Sequence, residues 1–483
     1  MAYTKNTLFR GIIWNSIEKV LVKGSSFVIT VILARLLTPE DYGIIGMLAI
    51  FIALSNVFIE SGFSKALIQK KDVSDEDYNT AFITNLGVAF AVYAILYFAA
   101  PLIAKFYNVS QLVPISRVLF LNLILVSCNI VQNAILTRAV DFKSIAKINF
   151  IGVIVGGAAG VVSAYLGANA WALVIQTLTT SVTRMTVFPI YSRWYPTLKF
   201  SIQSLKALWG FGSKLLVSGS MAVVVNNIST ICIGKFYSQA QLGFYTRAVQ
   251  FSEIISSIIN DVVGTVSYPV LSSLQESKDE MVKMYKMSLL YTSMLTFPIL
   301  IMTALLAHPL VLAHPLVLVL LTEKWLPCVV LLQILCLARM FTPISALNIN
   351  ILNALGRTDL TLKIETIKIL YGIIALAITI PIGVKAIVIG NLVTTVISFF
   401  VNTYYPGKLL GYGAFKMLKD WKYVILSACI MSVMVLTAMY FIRNPYLQLL
   451  VVGPLGMAVY LGICIKTGQL NIKQLIQNVK KRR

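Results

Sequence analysis

Long apolar runs separated by short polar turns fill the chain, and the runs have the length of membrane spans. A helix needs about 20 mostly apolar residues to cross a bilayer. That ruler marks fourteen segments: 10–36, 41–68, 79–104, 112–136, 147–167, 169–190, 209–234, 240–271, 284–306, 327–352, 364–383, 385–405, 422–442 and 446–465. The turns carry helix-start signals. Thr38 with Asp41, and Ser238 with Gln241, have the spacing of a capping box, in which each side chain satisfies an orphan backbone donor of the first turn. Ser74 before Asp75-Glu76-Asp77 reads in the same way, as a cap with acidic first-turn residues rather than a nucleotide-sugar metal site.

The pattern is duplicated. Leu33-Ala34-Arg35-Leu36-Leu37-Thr38 with Tyr42-Gly43-Ile44 returns as Ile233-Gly234-Lys235-Phe236-Tyr237-Ser238 with Leu242-Gly243-Phe244. Asn133-Ala134 followed by Arg138, Asp141 and Lys143 returns as Asn353-Ala354 followed by Arg357, Asp359 and Lys363, and Gly167 with Ala170 returns as Gly383 with Ala386. Six spans separate the copies. An even number keeps the halves pointing the same way, related by an axis along the membrane normal, as in transporters built from parallel repeats. The expected fold is an all-α polytopic membrane protein of about fourteen transmembrane helices. Helices 1–6 form an N-lobe over 1–196 and helices 7–12 a C-lobe over 197–408; helices 13–14 and a basic cytoplasmic tail occupy 409–483.

Composition sharpens the class. Of 483 residues, 58% are hydrophobic and only 12% charged, which belongs to a bilayer protein. The net charge of +22 is divided among short loops, whereas a nucleic-acid binder would cluster it on a soluble face, so no nucleic-acid partner is expected. Basic residues gather in alternate turns: Lys65, Lys70 and Lys71; Arg138, Lys143 and Lys147; Lys408, Lys416, Lys419 and Lys422; and the tail. The intervening turns hold one at most: Arg35, Lys105, Lys235, Lys324, Lys385 and Arg443. Cytoplasmic loops hold the excess of Lys and Arg, which puts both termini in the cytoplasm. The first apolar run carries Glu18, Lys19 and Lys23 and no cleavage site follows, so it is expected to remain as a span.

Cofactor signals are lacking. The six cysteines lie in apolar segments without CxxC pairs, and no Gly-rich phosphate loop precedes a lysine, so neither a metal nor ATP is expected. The tandem Ala307-His308-Pro309-Leu310-Val311-Leu312 and Ala313-His314-Pro315-Leu316-Val317-Leu318 supplies both histidines. Each histidine precedes a proline and no carboxylate cluster lies near, so a slipped duplication explains it better than a metal site.

Ionisable groups inside spans are costly, about 2.5–3.5 kcal/mol each on insertion scales, and they mark function. Asn15, Lys19, Lys23, Ser26 and Thr30 form one polar stripe on the first span. Arg247, Gln250, Ser257 and Asp261 line the eighth, Arg339, Thr342, Asn350 and Asn353 the tenth, and Arg184 lies in the sixth. Two readings stay open. The cations converge on a polar cavity that attracts an anion, or they pair with Glu18, Glu60, Glu253 and Asp261 to lock helices together. Arg35 and Lys235 read as interfacial anchors that snorkel outward.

Longer matches carry a family resemblance: Leu33 through Gly43, Glu60-Ser61-Gly62-Phe63-Ser64-Lys65-Ala66-Leu67-Ile68-Gln69, Leu321-Thr322-Glu323-Lys324-Trp325, and Asn353-Ala354-Leu355-Gly356-Arg357-Thr358-Asp359. Over nearly its whole length the chain resembles the polysaccharide-transporter branch of the multidrug/oligosaccharidyl-lipid/polysaccharide exporter superfamily, nearest to colanic-acid-exporter and teichuronic-acid-type proteins. The tandem hexapeptide departs from that pattern. The resemblance implies a flippase of the bacterial cytoplasmic membrane that moves an undecaprenyl-pyrophosphate-linked oligosaccharide between leaflets by alternating access, for surface polysaccharide biosynthesis. It implies a monomer, with membrane lipids and polysaccharide assembly proteins as neighbours. By helix and residue type it points to Lys19, Lys23 and Arg247 as pyrophosphate ligands. From the polar stripes themselves, Arg339, Asn15 and Gln250 are expected to line the same cavity, and Glu18 or Asp261 are the candidate ion-coupling groups.

A cation-coupled multidrug antiporter of the same fold is the alternative, although the first-span stripe is basic where such a cavity should be acidic. A membrane enzyme such as a glycan polymerase would need a large outer loop or a catalytic domain. The longest loops, 72–78, 193–213 and 276–286, hold neither, and a transporter without catalytic residues is expected.

Overall fold

A computed structural model describes residues 5–60, 63–70, 72–197, 199–274, 277–307, 315–442 and 444–469. Its contacts divide into two units, Met1–Gly243 and Phe244–Arg483. The first unit contains α1 (Lys5–Leu36), α2 (Pro39–Glu60), α3 (Phe63–Gln69), α4 (Asp75–Tyr107), α5 (Leu112–Leu119), α6 (Leu121–Arg138), α7 (Phe142–Tyr165), α8 (Ala170–Ser192) and α9 (Ile202–Phe236). It also holds the start of α10 (Gln239–Ser273), most of which belongs to the second unit. There follow α11 (Lys278–Leu306), α12 (Pro315–Leu320), α13 (Cys328–Arg339), α14 (Thr342–Ala354), α15 (Thr358–Thr379) and α16 (Val384–Leu410). The chain ends in α17 (Ala414–Asp420), α18 (Lys422–Phe441), α19 (Pro445–Leu447) and α20 (Gly453–Lys466).

Each of the fourteen apolar segments lies on these helices, and among the described residues nine helical stretches are long and apolar enough to cross a membrane. Some segments are broken, which periodicity did not indicate. The tenth divides between Arg339 and Thr342, so its polar stripe is not continuous. Pro343 accounts for the division, because its ring clashes with the carbonyl four residues earlier and it cannot donate into the preceding turn. The last segment is interrupted by a π-helical turn, Gln448–Val452. The tandem hexapeptide histidines, His308 and His314, lie outside the described residues.

Caps form where the pattern placed them. Thr38 and Asp41 exchange backbone-to-side-chain bonds at the start of α2, and Ser238 and Gln241 do so at α10. Ser74 and Asp77 complete a capping box at α4, and Asn108, in the left-handed region at φ 57°, closes its other end. The start of each duplicated helix rests on the glycine of the other: Gly43 packs on Gln239 and Gly243 on Pro39.

Small residues bring α7 and α8 together. Gly152, Gly156 and Gly160 recur every four positions, and a Cβ on Gly156 would stand 2.8 Å from the Gln176 carbonyl oxygen. Such a stripe lets two membrane helices approach to backbone contact, where dispersion replaces the missing hydrophobic drive. At the other end of α4, the strand of chain before α9 is fastened down. The Asn79 side chain accepts from Thr197 N at 2.6 Å, Thr80 Oγ1 accepts from Ser201 N at 3.0 Å, and Trp194 packs edge-on against Phe82.

In the second unit the core is aromatic: Phe297, Phe341, Phe399 and Trp421 pack edge-on or tilted with centroids 5.5–6.1 Å apart. The closing helices join this core, since Tyr460 of α20 donates from within the interior to the Met294 carbonyl of α11 at 3.2 Å.

Candidate functional site

The polar residues of α10 recur at three-residue spacing, Arg247, Gln250 and Glu253, which places them on one helical face. Arg247 is buried to 1% exposure and donates to Gln250 Oε1 at 2.7 Å, while Gln250 itself is exposed. The guanidinium also lies 5.4 Å from the ring centroid of Trp325, a cation–π contact, and Phe244 meets the same indole edge-on at 6.1 Å. Desolvating a guanidinium is expensive, and a face of this kind offsets part of the cost while leaving the group charged.

Trp325 reaches this place through a strained turn. Thr322 adopts φ 95°, a region that a β-branched residue rarely enters, and the chain then makes one 3₁₀ turn, Glu323–Trp325. Trp325 N donates to the Thr322 carbonyl at 3.2 Å, which closes the turn, and the indole is fully buried. Sequence reasoning noted this stretch only as a family likeness. The signal that could have assigned it was a tryptophan in the turn between two apolar segments, in a chain with an arginine inside an apolar segment.

Arg339 ends α13 and forms an ion pair with Glu253 at 2.9 Å. Glu253 is one of the acids that the second of the two open readings offered as a partner. Arg184 of α8 lies against Gly152, whose missing Cβ would stand 2.9 Å from its Cγ. Lys23, Ser26 and Thr30 follow one another on α1 in the first unit, Lys23 half-buried and Thr30 buried. The side chains of Asn15, Glu18, Lys19 and Asp261 lie outside the described residues.

The structure therefore unites Arg247 with Gln250 and Arg339 with Glu253, all within the second unit. Among the described residues no group of three or more His, Cys, Asp or Glu is arranged to hold a metal ion.

Fold and polar content together define an all-α, multi-pass membrane protein. The chain belongs to the polysaccharide biosynthesis protein family, whose profile matches residues 32–330. The lipopolysaccharide biosynthesis protein WzxC of Escherichia coli (strain K12) is 23% identical over 399 residues, covering 80% of this chain and 79% of that protein. The teichuronic acid biosynthesis protein TuaB of Bacillus subtilis (strain 168) is 22% identical over 369 residues, covering 76% and 75%. The fold is shared with the lipid II flippase MurJ in an inward closed conformation, at a TM-score of 0.74 and 16% identity over 96% of this chain and 100% of that one. An inward-facing multidrug resistance MATE family transporter of the MOP superfamily matches at a TM-score of 0.64 and 16% identity, over 82% and 96%. The resemblance read from Leu33–Gly43 and its companion stretches is thus borne out.

Proposed function

We propose that the protein is a flippase that carries an undecaprenyl-pyrophosphate-linked oligosaccharide across the bacterial cytoplasmic membrane by alternating access. The observation that carries this reading is the charged face of α10, where a fully buried Arg247 is held by Gln250 and Trp325 inside an apolar helical unit. A sugar head cannot cross about 30 Å of hydrocarbon alone, because its hydroxyls would lose their water partners. A polar path through the protein shields the head while the lipid tail stays in the bilayer. Cations at mid-depth then hold the pyrophosphate by charge-assisted hydrogen bonds. In this reading Lys19, Lys23 and Arg247 bind the anion, Asn15, Gln250 and Arg339 line the path, and Glu18 or Asp261 couples an ion. Residues 1–196 and 197–408 act as the two lobes, with both termini in the cytoplasm.

The multidrug antiporter is the second reading, favoured by the MATE fold likeness. Leaflet accessibility of lipid-linked oligosaccharide, probed with an impermeant sugar reagent in cells with and without the protein, separates the two. Glycan trapped on the inner leaflet after depletion supports the flippase; an unchanged outer fraction supports the antiporter. Lys19→Ala and Lys23→Ala are each expected to abolish surface-polysaccharide export at unchanged protein abundance, and normal export in both removes the anion assignment.

A further inference from the structure

Away from the charged face, the first unit contains a groove of about 520 Å³, lined by Glu40, Met47, Tyr107, Val109, Tyr237 and Gln239 among others. Its volume falls within the roughly 300–1,000 Å³ usual for small-molecule sites. The groove lies where α4 and α9 end and α2 and α10 begin. The basic-residue distribution puts this end of the helices outside the cytoplasm.

The walls are fixed by contacts that owe nothing to a ligand. Two capping boxes set the first turns of α2 and α10, and Gly43 and Gly243 let those turns cross at backbone distance. Tyr107 fits because residue 234 is glycine: a Cβ there would stand 2.9 Å from the Tyr107 ring. Lys235 donates to the Phe106 carbonyl and ties the end of α4 to the end of α9. A site held in this way is organised before any ligand arrives, and binding then costs less ordering entropy.

We propose that this groove is a saccharide-binding site on the extracytoplasmic face, which receives the sugar head of the cargo. The proposal rests on the flippase reading above. Chemistry selects the ligand class. The lining includes two tyrosines, a carboxylate, an amide and the Ser238 hydroxyl, and no lysine or arginine. A phosphate would meet Glu40 with no cation to hold it. A neutral sugar presents an apolar C–H face to the Tyr237 ring, which is part-exposed where Tyr107 is buried, and hydroxyls to Glu40, which accepts, and to Gln239 and Ser238, which accept or donate. An organic cation is the competing ligand, since tyrosine faces and a carboxylate also suit positive charge. Glu40 is exposed, so its pull is screened by water, and the neutral hydrogen-bonding groups outnumber it.

The test uses the full chain in lipid nanodiscs and ligand-detected saturation-transfer NMR. The probes are oligosaccharide freed by mild acid from the lipid carriers of the cells that make the protein, and tetraphenylphosphonium as an organic cation. The expected result is saccharide binding that weakens roughly tenfold in Gln239→Ala and again in Glu40→Gln, about one lost hydrogen bond each. Glu40→Gln keeps size and shape at an exposed position, so its effect is not one of folding. Saccharide binding unchanged in both variants, or tetraphenylphosphonium bound in place of saccharide, overturns the proposal. If the leaflet assay shows translocation while the groove variants bind saccharide normally, the groove assignment falls and the flippase stands. If the leaflet assay shows none, the flippase reading itself has failed.

Discussion

Gly43 lies directly beneath the backbone carbonyl of Gln239, so that a Cβ built on it would overlap the oxygen and stand 2.7 Å from the carbonyl carbon. The relationship is reciprocal, because Gly243 meets Pro39 with the same 2.7 Å to its carbonyl carbon. The obstacle in both cases is backbone at a capped helix start, which cannot swing aside as a side chain can.

Gly43→Ala and Gly243→Ala are therefore expected to destabilise the protein by about 1–3 kcal/mol each, the usual cost of overpacking. Gly87, within α4, has nothing within 4 Å of a built Cβ. Gly87→Ala should instead be neutral or gain about 0.5–1 kcal/mol from reduced chain entropy. Thermal unfolding of the three variants in one detergent checks the sign in each. Equal behaviour of all three would mean that the reciprocal contact is not formed.

The ion pair between Arg339 and Glu253 decides between two roles for Arg339. If it locks α13 to α10, Arg339→Glu and Glu253→Arg should each reduce export, and the double exchange should restore most of it, because the attraction survives reversal. If Arg339 serves the anion, the exchange leaves a carboxylate at its position and export stays lost. Export measured in the four backgrounds, with abundance checked by immunoblot, separates these outcomes. A large stability effect is not expected, since Glu253 is half exposed and such pairs contribute about 0–1 kcal/mol.

Tyr412, between α16 and α17, is buried and donates to Asp420 Oδ2 at 2.9 Å. Burial pushes its phenol well above the ordinary range, and the bond to Asp420 and that carboxylate's charge push the same way. A raised folded-state pKa means stability that is fully present below about pH 10 and lost as pH climbs beyond it. Tyr412→Phe should cost about 1.5–3 kcal/mol near neutrality, as for a hydrogen bond to a charged group. It should also flatten the fall in melting temperature between about pH 9 and about pH 11 relative to the parent. A parallel fall in both proteins would show that Tyr412 is not the group that titrates.

Much of this was legible in the chain because it depends on local order. Spans, caps and the repeat are set by residues a few positions apart, and Ser74, Thr38 and Ser238 cap the helices that their spacing predicts. Partners across helices were less accessible. Glu253 was one of several acids that could have met Arg339, and only packing selects it. Trp325 depends on an unusual φ at Thr322, which no periodicity records.

Lys235 shows the limit most clearly, since the repeat equates it with Arg35 and both read as outward anchors. The structure turns Lys235 toward its neighbours instead: it donates to the Phe106 carbonyl and lies 4.6 Å from that ring's centroid. An exposed last-turn carbonyl of α4 needs a donor, and a lysine in the last turn of α9 can reach it. Lys235 thus has a structural role that the sequence repeat does not indicate. Lys235→Ala should lower stability by about 1 kcal/mol, combining a part-exposed charged hydrogen bond with a cation–π contact. Amide exchange near Phe106–Val109 should quicken by roughly fivefold for the same loss. Arg35→Ala should leave exchange in that segment unchanged, because the hold on Phe106 is made by Lys235 and Arg35 ends a different helix, α1. Exchange that quickens equally in both variants would restore the reading of two equivalent interfacial anchors.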